Sequence, residues 1–288
     1  MLIAASLLPE VVTSQPNAQG LSFARQPLPA AGKTTRAESR TIYLNRDDVT
    51  LRPGDNDSAA NVSSIVTAPT DIAGWYIDDD SWQETVDCMR EIYAPFDVTI
   101  TDDDPGAGVP HIEAHFGGHP SDVGLPDNVA GVSPFTTDCS IIEHSIVFAF
   151  TDVMNDDPRT VCEVMAQEVA HSFGLDHEML PEDPMTYLTY FGDRTFQDEM
   201  ADCGEFGGRM CGISGSVCRE RQNSFALLTE RLGKNPAMPP DDSAGNENHE
   251  IGGCSAGRGS ETGLVVIVLG GFVARRRTRS RRHRALLQ

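Results

Sequence analysis

The chain has 288 residues, 39% of them hydrophobic, and a formal net charge of −21. That hydrophobic share is enough to bury a core, which argues against global disorder. The negative charge argues against a nucleic-acid partner, because phosphates repel such a surface. Seven arginines and no acidic residue lie within 275–284, so the chain combines an acidic body with a basic tail.

The N-terminal residues 1–39 are rich in Pro, Ala, Ser and Gln, which predicts a leader or linker. Only roughly the first eight residues are apolar, and no positive charge precedes them. The segment is therefore interpreted either as a fragment of a secretory signal or as a disordered N-terminus.

The first predicted strand is "TIYLN" (41–45), and "RDDVTLRPGDNDS" (46–58) follows it as a loop. The aspartates of this loop could bind Ca²⁺, but their spacing does not match an EF-hand. A solvated acidic loop is the alternative.

A helix is predicted over 80–96, with Ser81 and Glu84 as a capping box and Pro95 at its end. Apolar or alternating runs predict three further strands at 97–101, 109–116 and 145–150. In the second of these, His111, Glu113 and His115 alternate with apolar residues and predict a polar face. The third is almost wholly apolar, as expected of a central strand.

The next helix begins at Asp157-Pro158, an N-cap followed by a proline in the first position, and ends at Gly174. Its predicted buried stripe is Val161, Met165, Val169 and Phe173. A last helix is predicted over 223–232, before Gly233.

A possible metal site lies in "QEVAHSFGLDHE" (167–178). Gln167 and His171 are four residues apart on a helix and so point the same way. Gly174 allows a sharp turn that brings His177 back to the same point, and Glu168 lies beside the pair. The H-E-x-x-H motif has the same arrangement: two helix residues bind the metal, and the adjacent glutamate is the general base.

This stretch resembles the extended H-E-x-x-H-x-x-G-x-x-H motif of the metzincin metalloproteases, except that glutamine replaces the first histidine. "DPMTY" (183–187) resembles their methionine turn, with Met185 beneath the metal. Tyr187 matches the tyrosine that stabilises the transition state in astacins and serralysins. The resemblance covers roughly residues 40–233.

The resemblance implies an α+β domain over 40–235, with a twisted mixed five-stranded sheet, an active-site helix, a methionine turn and a C-terminal helix. It also implies a monomeric, zinc-dependent endopeptidase that acts on peptide or protein substrates. Gln167, His171 and His177 would be the zinc ligands, Glu168 the general base and Tyr187 the oxyanion stabiliser. The edge segment 129–135 would pair with an extended substrate.

Gln167 leaves two other hypotheses open, because an amide oxygen is a weaker zinc ligand than an imidazole. One is a catalytically inactive binding protein on the same scaffold. The other is a surface structural protein that uses metal only for stability.

Several other polar residues are candidates for accessory roles. A second, structural metal could be bound by His111, His115, His119 and Asp122; the alternative is a polar strand face. His144 is a candidate substitute ligand or a polar strand cap. Asp176 and Asp183 could orient the site or lie on the surface.

The six cysteines of the body fit no CxxC pattern and predict three disulfides in an oxidising compartment. One local bridge is expected among Cys203, Cys211 and Cys218. Residues 236–253 form a predicted polar linker.

Residues 254–288 combine a lone cysteine, Cys254, with a spacer, an apolar run at 263–274 and the arginine cluster. This arrangement resembles the C-terminal sorting signal of myxobacterial surface proteins. The alternative is a simple tail anchor. Both place the body in the secreted or cell-surface space and tie the chain to the membrane or cell envelope.

Overall fold

The computed structural model describes residues 10–32 and 34–237. Its helices are α1 (Asp79–Tyr93), α2 (Pro158–Ser172) and α3 (Ser224–Leu232). Its strands are β1 (Val12–Thr13), β2 (Ser22–Leu28), β3 (Thr41–Asn45), β4 (Val49–Pro53), β5 (Val62–Ser63), β6 (Thr70–Ile72), β7 (Thr99–Thr101), β8 (His111–Phe116), β9 (Val129–Thr136), β10 (Ile146–Ala149), β11 (Ala201–Asp202) and β12 (Arg221–Gln222). These elements form one compact unit.

The main sheet has seven strands in the order β1-β2-β9-β10-β8-β3-β7. It is mixed: β3 pairs in parallel with β7 and β8, and β8 with β10, whereas β9 runs antiparallel to β10. The predicted α+β class with a mixed sheet is therefore confirmed. The prediction of five strands is wrong, because β1 and β2 extend the sheet beyond β9.

The two extra strands come from the segment that the sequence predicted to be leader or linker. Side chains of β2 alternate between two buried clusters, with Phe23 in the larger one and Ala24 in the smaller one on the opposite face of the sheet. Both faces of β2 are therefore buried. The described part of residues 1–39 thus contains folded structure that its Pro- and Ala-rich composition did not predict.

Helices α1 and α2 pack together, and the larger core cluster contains apolar residues of both helices and of the sheet. A disulfide between Cys88 of α1 and Cys162 of α2 ties the two helices together. The α1 N-cap is Asp78, whose carboxylate accepts from the backbone N–H of Ser81 at 3.0 Å. The predicted capping box of Ser81 with Glu84 is therefore wrong, since the helix begins at Asp79.

The smaller core cluster lies over the other face of the main sheet and includes residues of a small sheet in the order β5-β4-β6. Strand β4 lies within residues 46–58, where only a loop was predicted. This cover also overturns the predicted polar face of β8. His111, Glu113 and His115 are all buried, at 2%, 2% and 0% exposure.

The ends of α2 and α3 follow the sequence closely. The Asp157 carboxylate accepts from the Thr160 N–H at 3.0 Å, and Pro158 occupies the first helical position. The chain leaves α2 through Gly174 at φ = +72°, a left-handed conformation that favours glycine. Asn223 caps α3, and Gly233 follows it.

Three disulfides join the six body cysteines: Cys88–Cys162, Cys139–Cys218 and Cys203–Cys211. The last is the predicted local bridge. Three disulfides are typical of a secreted or extracellular protein. None of the helices within the described residues is long and apolar enough to span a bilayer. Cys254, the apolar run and the arginine cluster lie outside the described residues.

Candidate metal and catalytic site

The structure places the predicted site residues on α2 and on the segment that follows it. Gln167, Glu168 and His171 lie on α2 and are at most 2% exposed. Gly174 then turns the chain, and the backbone N–H of Leu175 donates to the Ala170 carbonyl at 3.1 Å. This tight turn directs His177, which is 1% exposed, back to His171.

The two histidines face each other through their Nε2 atoms, which lie 2.9 Å apart. Their other nitrogens are donors: the His171 Nδ1–H donates to the Leu175 carbonyl at 2.7 Å, and the His177 Nδ1–H to Glu205 Oε1 at 2.9 Å. A carbonyl or carboxylate oxygen only accepts, so each neutral ring carries its lone pair on Nε2. Two lone pairs this close repel each other, and one cation bound by both, such as zinc, would relieve this repulsion.

Burial keeps both rings neutral, as a metal ligand must be. Burial, and then the neighbouring His177, hold the pKa of His171 well below its usual value. Burial and then Arg25 lower the pKa of His177 to about 4. The carboxylate of Glu205 opposes this second shift and fixes the His177 tautomer, which is the usual role of a carboxylate behind a metal-ligating histidine.

Glu168 is fully buried, and neither of its carboxylate oxygens has a hydrogen-bond partner within the described chain. Burial raises its pKa well above the ordinary value for glutamate, although Arg25 acts in the opposite direction. A buried, unpaired carboxylate is costly and suits a base whose partner is a water or a substrate. It fits here because Gly131 on β9 has no side chain: a methyl group there would lie 2.6 Å from Glu168 Oε1.

Gln167 also has an unpaired group, since its amide nitrogen is buried without a partner in the described residues. The two ends of an amide have nearly the same shape, so a flipped amide would present its carbonyl oxygen at that position. Gln167 lines a cavity of about 110 Å³ together with Thr186 and Tyr187. The two imidazoles with lone pairs on Nε2 therefore fit a metal ion, and the amide oxygen of Gln167, a weaker ligand, stays a predicted third ligand.

Tyr187 lies beside the histidines. Its hydroxyl is 3.5 Å from His177 Nε2, and burial raises its pKa well above 10, so it remains a proton donor. The turn before it is held by Asp183, which accepts from the backbone N–H groups of Met185 at 2.9 Å and Gln197 at 2.8 Å. The Met185 carbonyl in turn accepts from the Glu178 N–H at 3.0 Å, which ties this turn to the residue after His177.

The sequence did not reveal an ion-pair network behind His177. Arg25 and Arg209 both pair with the buried carboxylate of Asp176, and Arg209 also pairs with Glu205 at 2.8 Å. Asp176 accepts from the His177 backbone N–H at 2.8 Å, in agreement with its predicted orienting role. Burial would raise the pKa of the Asp176 carboxyl, but the two guanidinium groups more than offset it and hold the pKa below its usual range.

Part of this network could have been predicted from the sequence, because Glu205 and Arg209 lie in the short loop between Cys203 and Cys211. Arg25 carried no such signal, because it lies in the segment predicted to be linker.

The side chains of Asp176, His177 and Glu205 are close enough together to hold an ion themselves. Their carboxylates, however, are neutralised by arginines, and the facing Nε2 atoms are the better ligand set. The structure does not bring His119 and Asp122 to His111 and His115: His119 and Asp122 cap a short turn and bond each other. Within the described residues, these four side chains are not among the groups that lie at metal-binding distances.

His144 does not join the site. It lies in the turn before β10, where its backbone groups bond with Ser39 and Ser58. Calcium binding by residues 46–58 stays a prediction.

Comparison of the chain with protein-family models, curated proteins and solved structures finds no match. The function proposed below therefore rests on the residues and geometry of this site.

Proposed function

We propose that the chain is a zinc-dependent endopeptidase of the metzincin type that acts outside the cytoplasm. The observation that carries the proposal is the pair of neutral histidines with facing Nε2 atoms, next to the unpaired carboxylate of Glu168. The three disulfides agree with an extracytoplasmic protein.

Each side chain of the site has a role in this proposed reaction. His171 and His177, with Gln167, would hold the ion; zinc, when bound, would supply a Lewis acid that polarises the scissile carbonyl and acidifies water. Glu168 accepts a proton from the attacking water and passes it to the leaving amine nitrogen. The Tyr187 hydroxyl donates to the oxygen that develops negative charge.

The competing hypothesis is a binding protein on the same scaffold, and Gln167 is the residue that favours it. An amide oxygen binds zinc less tightly than an imidazole does. Metal content therefore separates the two functions more directly than an activity assay on an unknown substrate.

The first test measures zinc per chain by mass spectrometry in the full-length protein and in three variants. We expect about one zinc ion in the wild type, in Glu168→Gln and in Gln167→His, and almost none in His171→Ala. Glu168→Gln should lower peptide hydrolysis by about 10²- to 10⁴-fold while keeping the metal, because only the base is lost. Zinc in Gln167→His alone would show that the wild-type site is vestigial and would favour the binding protein.

A further inference from the structure

Two arginines near the C-terminal end of α2 lack a counter-charge. Arg231, on α3, is only 8% exposed, and Arg219, in the segment before α3, is partly buried. Among the described residues, neither guanidinium has a carboxylate within ion-pair distance. A buried charge is strongly unfavourable unless an opposite charge lies beside it. These two side chains therefore lie in an environment that favours a bound anion.

The hydrogen bonds of both arginines inside the chain go to uncharged groups only. Arg219 donates to the Gly174 carbonyl at 2.9 Å and to Gln222 Oε1 at 2.6 Å. Arg231 donates from Nη2 to the Cys139 carbonyl at 2.9 Å, while its Nη1 is buried with no partner in the described residues. A guanidinium has five N–H donors, so each side chain keeps donors for a further ligand.

The pKa values of the two groups reflect the missing counter-charge. Burial, and then the neighbouring charge of Arg219, lower the pKa of Arg231 to about 9. Burial also lowers the pKa of Arg219 from its ordinary value. In Arg209, burial acts in the same direction, but the pairs with Asp176 and Glu205 outweigh it and raise the pKa. Arg219 and Arg231 thus lack the compensation that Arg209 has.

A cavity of about 160 Å³ lies beside the two arginines. Its wall also contains three residues with hydroxyl groups, Thr34, Thr35 and Ser140. Ser140 is 3% exposed, and its hydroxyl, like Nη1 of Arg231, is buried without a partner in the described residues. Two buried donors of one cavity wall are therefore unpaired. The cavity has room for several water molecules, and so for a tetrahedral oxyanion.

Two acidic residues also line this cavity, but they leave the arginines unpaired. The Asp138 carboxylate accepts from the backbone N–H groups of Gly32 at 3.1 Å and Ser140 at 3.2 Å, so both of its oxygens are hydrogen-bonded. Glu230 is exposed and directly precedes Arg231 on α3, and adjacent helix residues do not face each other. Both carboxylates oppose the fall in the pKa of Arg231 that burial causes, but they do not offset it.

The wall of the cavity is held in place by the rest of the chain. The Cys139–Cys218 disulfide joins the segment after β9 to the segment that contains Arg219, and both cysteines line the cavity. The bond from Arg219 to the Gly174 carbonyl ties the same wall to the turn at the end of α2. Donors that are already fixed lose little conformational entropy when they bind a ligand.

We propose that this cavity, which we call the anion site, binds a tetrahedral oxyanion, a phosphate or sulfate group, through Arg219, Arg231 and the hydroxyl of Ser140. Guanidinium groups match the geometry of such anions and form charge-assisted hydrogen bonds with them. None of Gln167, His171 and His177 lines the cavity, so the anion site does not depend on the proposed function.

The first test counts the phosphate ions bound by the full-length protein. Equilibrium dialysis against radiolabelled inorganic phosphate is carried out in an excess of sodium chloride, which screens weak attraction between charges. We expect about one phosphate ion per chain, displaced by unlabelled sulfate, because the site offers charge-assisted donors. A chain that binds no phosphate in this buffer would overturn the proposal.

A charge added at the mouth of the cavity tests the location of the site. Thr35 is exposed and lines the cavity, so the carboxylate of Thr35→Glu competes with the anion for the arginines. The matched control is Thr67→Glu, which adds the same charge at an exposed threonine that does not line this cavity. We expect phosphate to bind about tenfold or more weakly to Thr35→Glu and unchanged to Thr67→Glu. Equal binding by the two variants would place the phosphate elsewhere and reject the anion site.

Arg231→Met removes one of the two charges and keeps a long side chain in the same space. This variant, with its fold verified by near-ultraviolet circular dichroism, should bind phosphate about tenfold or more weakly than the wild type. Undiminished binding by the folded variant would contradict the role of Arg231. If the variant does not fold, the comparison of Thr35→Glu with Thr67→Glu decides the question.

Phosphate can also coordinate a zinc ion, so the dialysis is repeated on wild-type protein from which a chelator has removed metal. We expect the same phosphate content with and without metal, because the anion site contains none of the predicted metal ligands. Loss of phosphate together with the metal would assign the anion to the metal and overturn the proposal. The result does not depend on whether the chain hydrolyses peptides.

Competition with phenyl phosphate identifies the source of the oxyanion. If phenyl phosphate displaces the label as well as inorganic phosphate does, the site accepts a phosphate group of a larger molecule. If it competes about tenfold or more weakly, the cavity encloses the free ion, since a phenyl ring then has no room. Both outcomes support a site for a tetrahedral oxyanion and differ only in where the anion comes from.

Discussion

The absence of a side chain at Gly131 leaves the space in which the Glu168 carboxylate lies. Gly131→Ala would place a methyl group 2.6 Å from Glu168 Oε1 and 2.8 Å from its Cγ, inside van der Waals contact. We expect peptide hydrolysis to fall by about 10- to 100-fold, because a displacement of about 1 Å is enough to misalign a catalytic group.

The matched control for this variant is Gly108→Ala, since nothing lies within 4 Å of a methyl group there. Both variants should bind zinc as the wild type does, because neither touches His171 or His177. The measurement is kcat/KM on a fluorogenic peptide, with zinc content beside it. Unchanged activity in a folded Gly131→Ala protein would show that the Glu168 position is not critical.

Two disulfides of very different loop length stabilise different parts of the molecule. Cys88–Cys162 joins α1 to α2 across 74 residues, whereas Cys203–Cys211 closes a loop of only 8 residues. By loop-closure entropy, the first should contribute about 4.4 kcal/mol to the free energy of unfolding and the second about 2.5 kcal/mol. The short loop, however, carries Glu205, which holds the His177 tautomer.

Each disulfide can be removed by replacing both of its cysteines with alanine. The two double variants should therefore rank in opposite order in loss of stability and in loss of zinc affinity. Loss of Cys88–Cys162 should cost more stability in urea unfolding but leave zinc affinity unchanged. Loss of Cys203–Cys211 should cost less stability and weaken zinc binding by about tenfold or more, because the support of a metal ligand is loosened. Equal zinc affinities in a competition titration would show that the short loop does not position Glu205.

The elements of this fold were predictable wherever local signals determine them. Asp157, Pro158 and Gly174 mark the ends of α2 through capping and backbone conformation, and these signals do not depend on the rest of the chain. The spacing of His171 and His177 around Gly174 likewise determines that these two side chains can converge. Such features are encoded within about ten residues.

What the sequence did not predict depends on contacts between distant segments. Strand β2 is held by β9, more than 100 residues away, and its composition alone resembles a linker. Arg25 pairs with Asp176, 151 residues away, and the polar side chains of β8 contact residues of other segments, such as Asn45 at Glu113 and Ala73 at His115. Composition and periodicity contain no information about such partners.

Two buried groups of β8, Glu113 and His115, contribute to the pH dependence of stability in opposite directions. Burial raises the pKa of Glu113 from 4.5 to about 7, so the folded chain binds more protons between these values. The contribution of Glu113 is therefore complete below about pH 4.5 and is lost as the pH rises to about 7. Burial lowers the pKa of His115 from 6.5 to about 4, so its contribution is complete above pH 6.5 and lost as the pH falls towards 4.

The two effects oppose each other between about pH 4.5 and 6.5, and Glu113→Gln should remove one of them. The variant keeps the oxygen that accepts from Asn45 Nδ2 at 2.7 Å, so the hydrogen bond survives while the titration is lost. Relative to the wild type, its free energy of unfolding should rise by about 2–3 kcal/mol from pH 4.5 to pH 7.5, since one pKa unit corresponds to about 1.4 kcal/mol. Urea unfolding at both pH values measures this difference. A constant difference between Glu113→Gln and the wild type would mean that Glu113 titrates near its ordinary value, and that solvent reaches the outer face of β8.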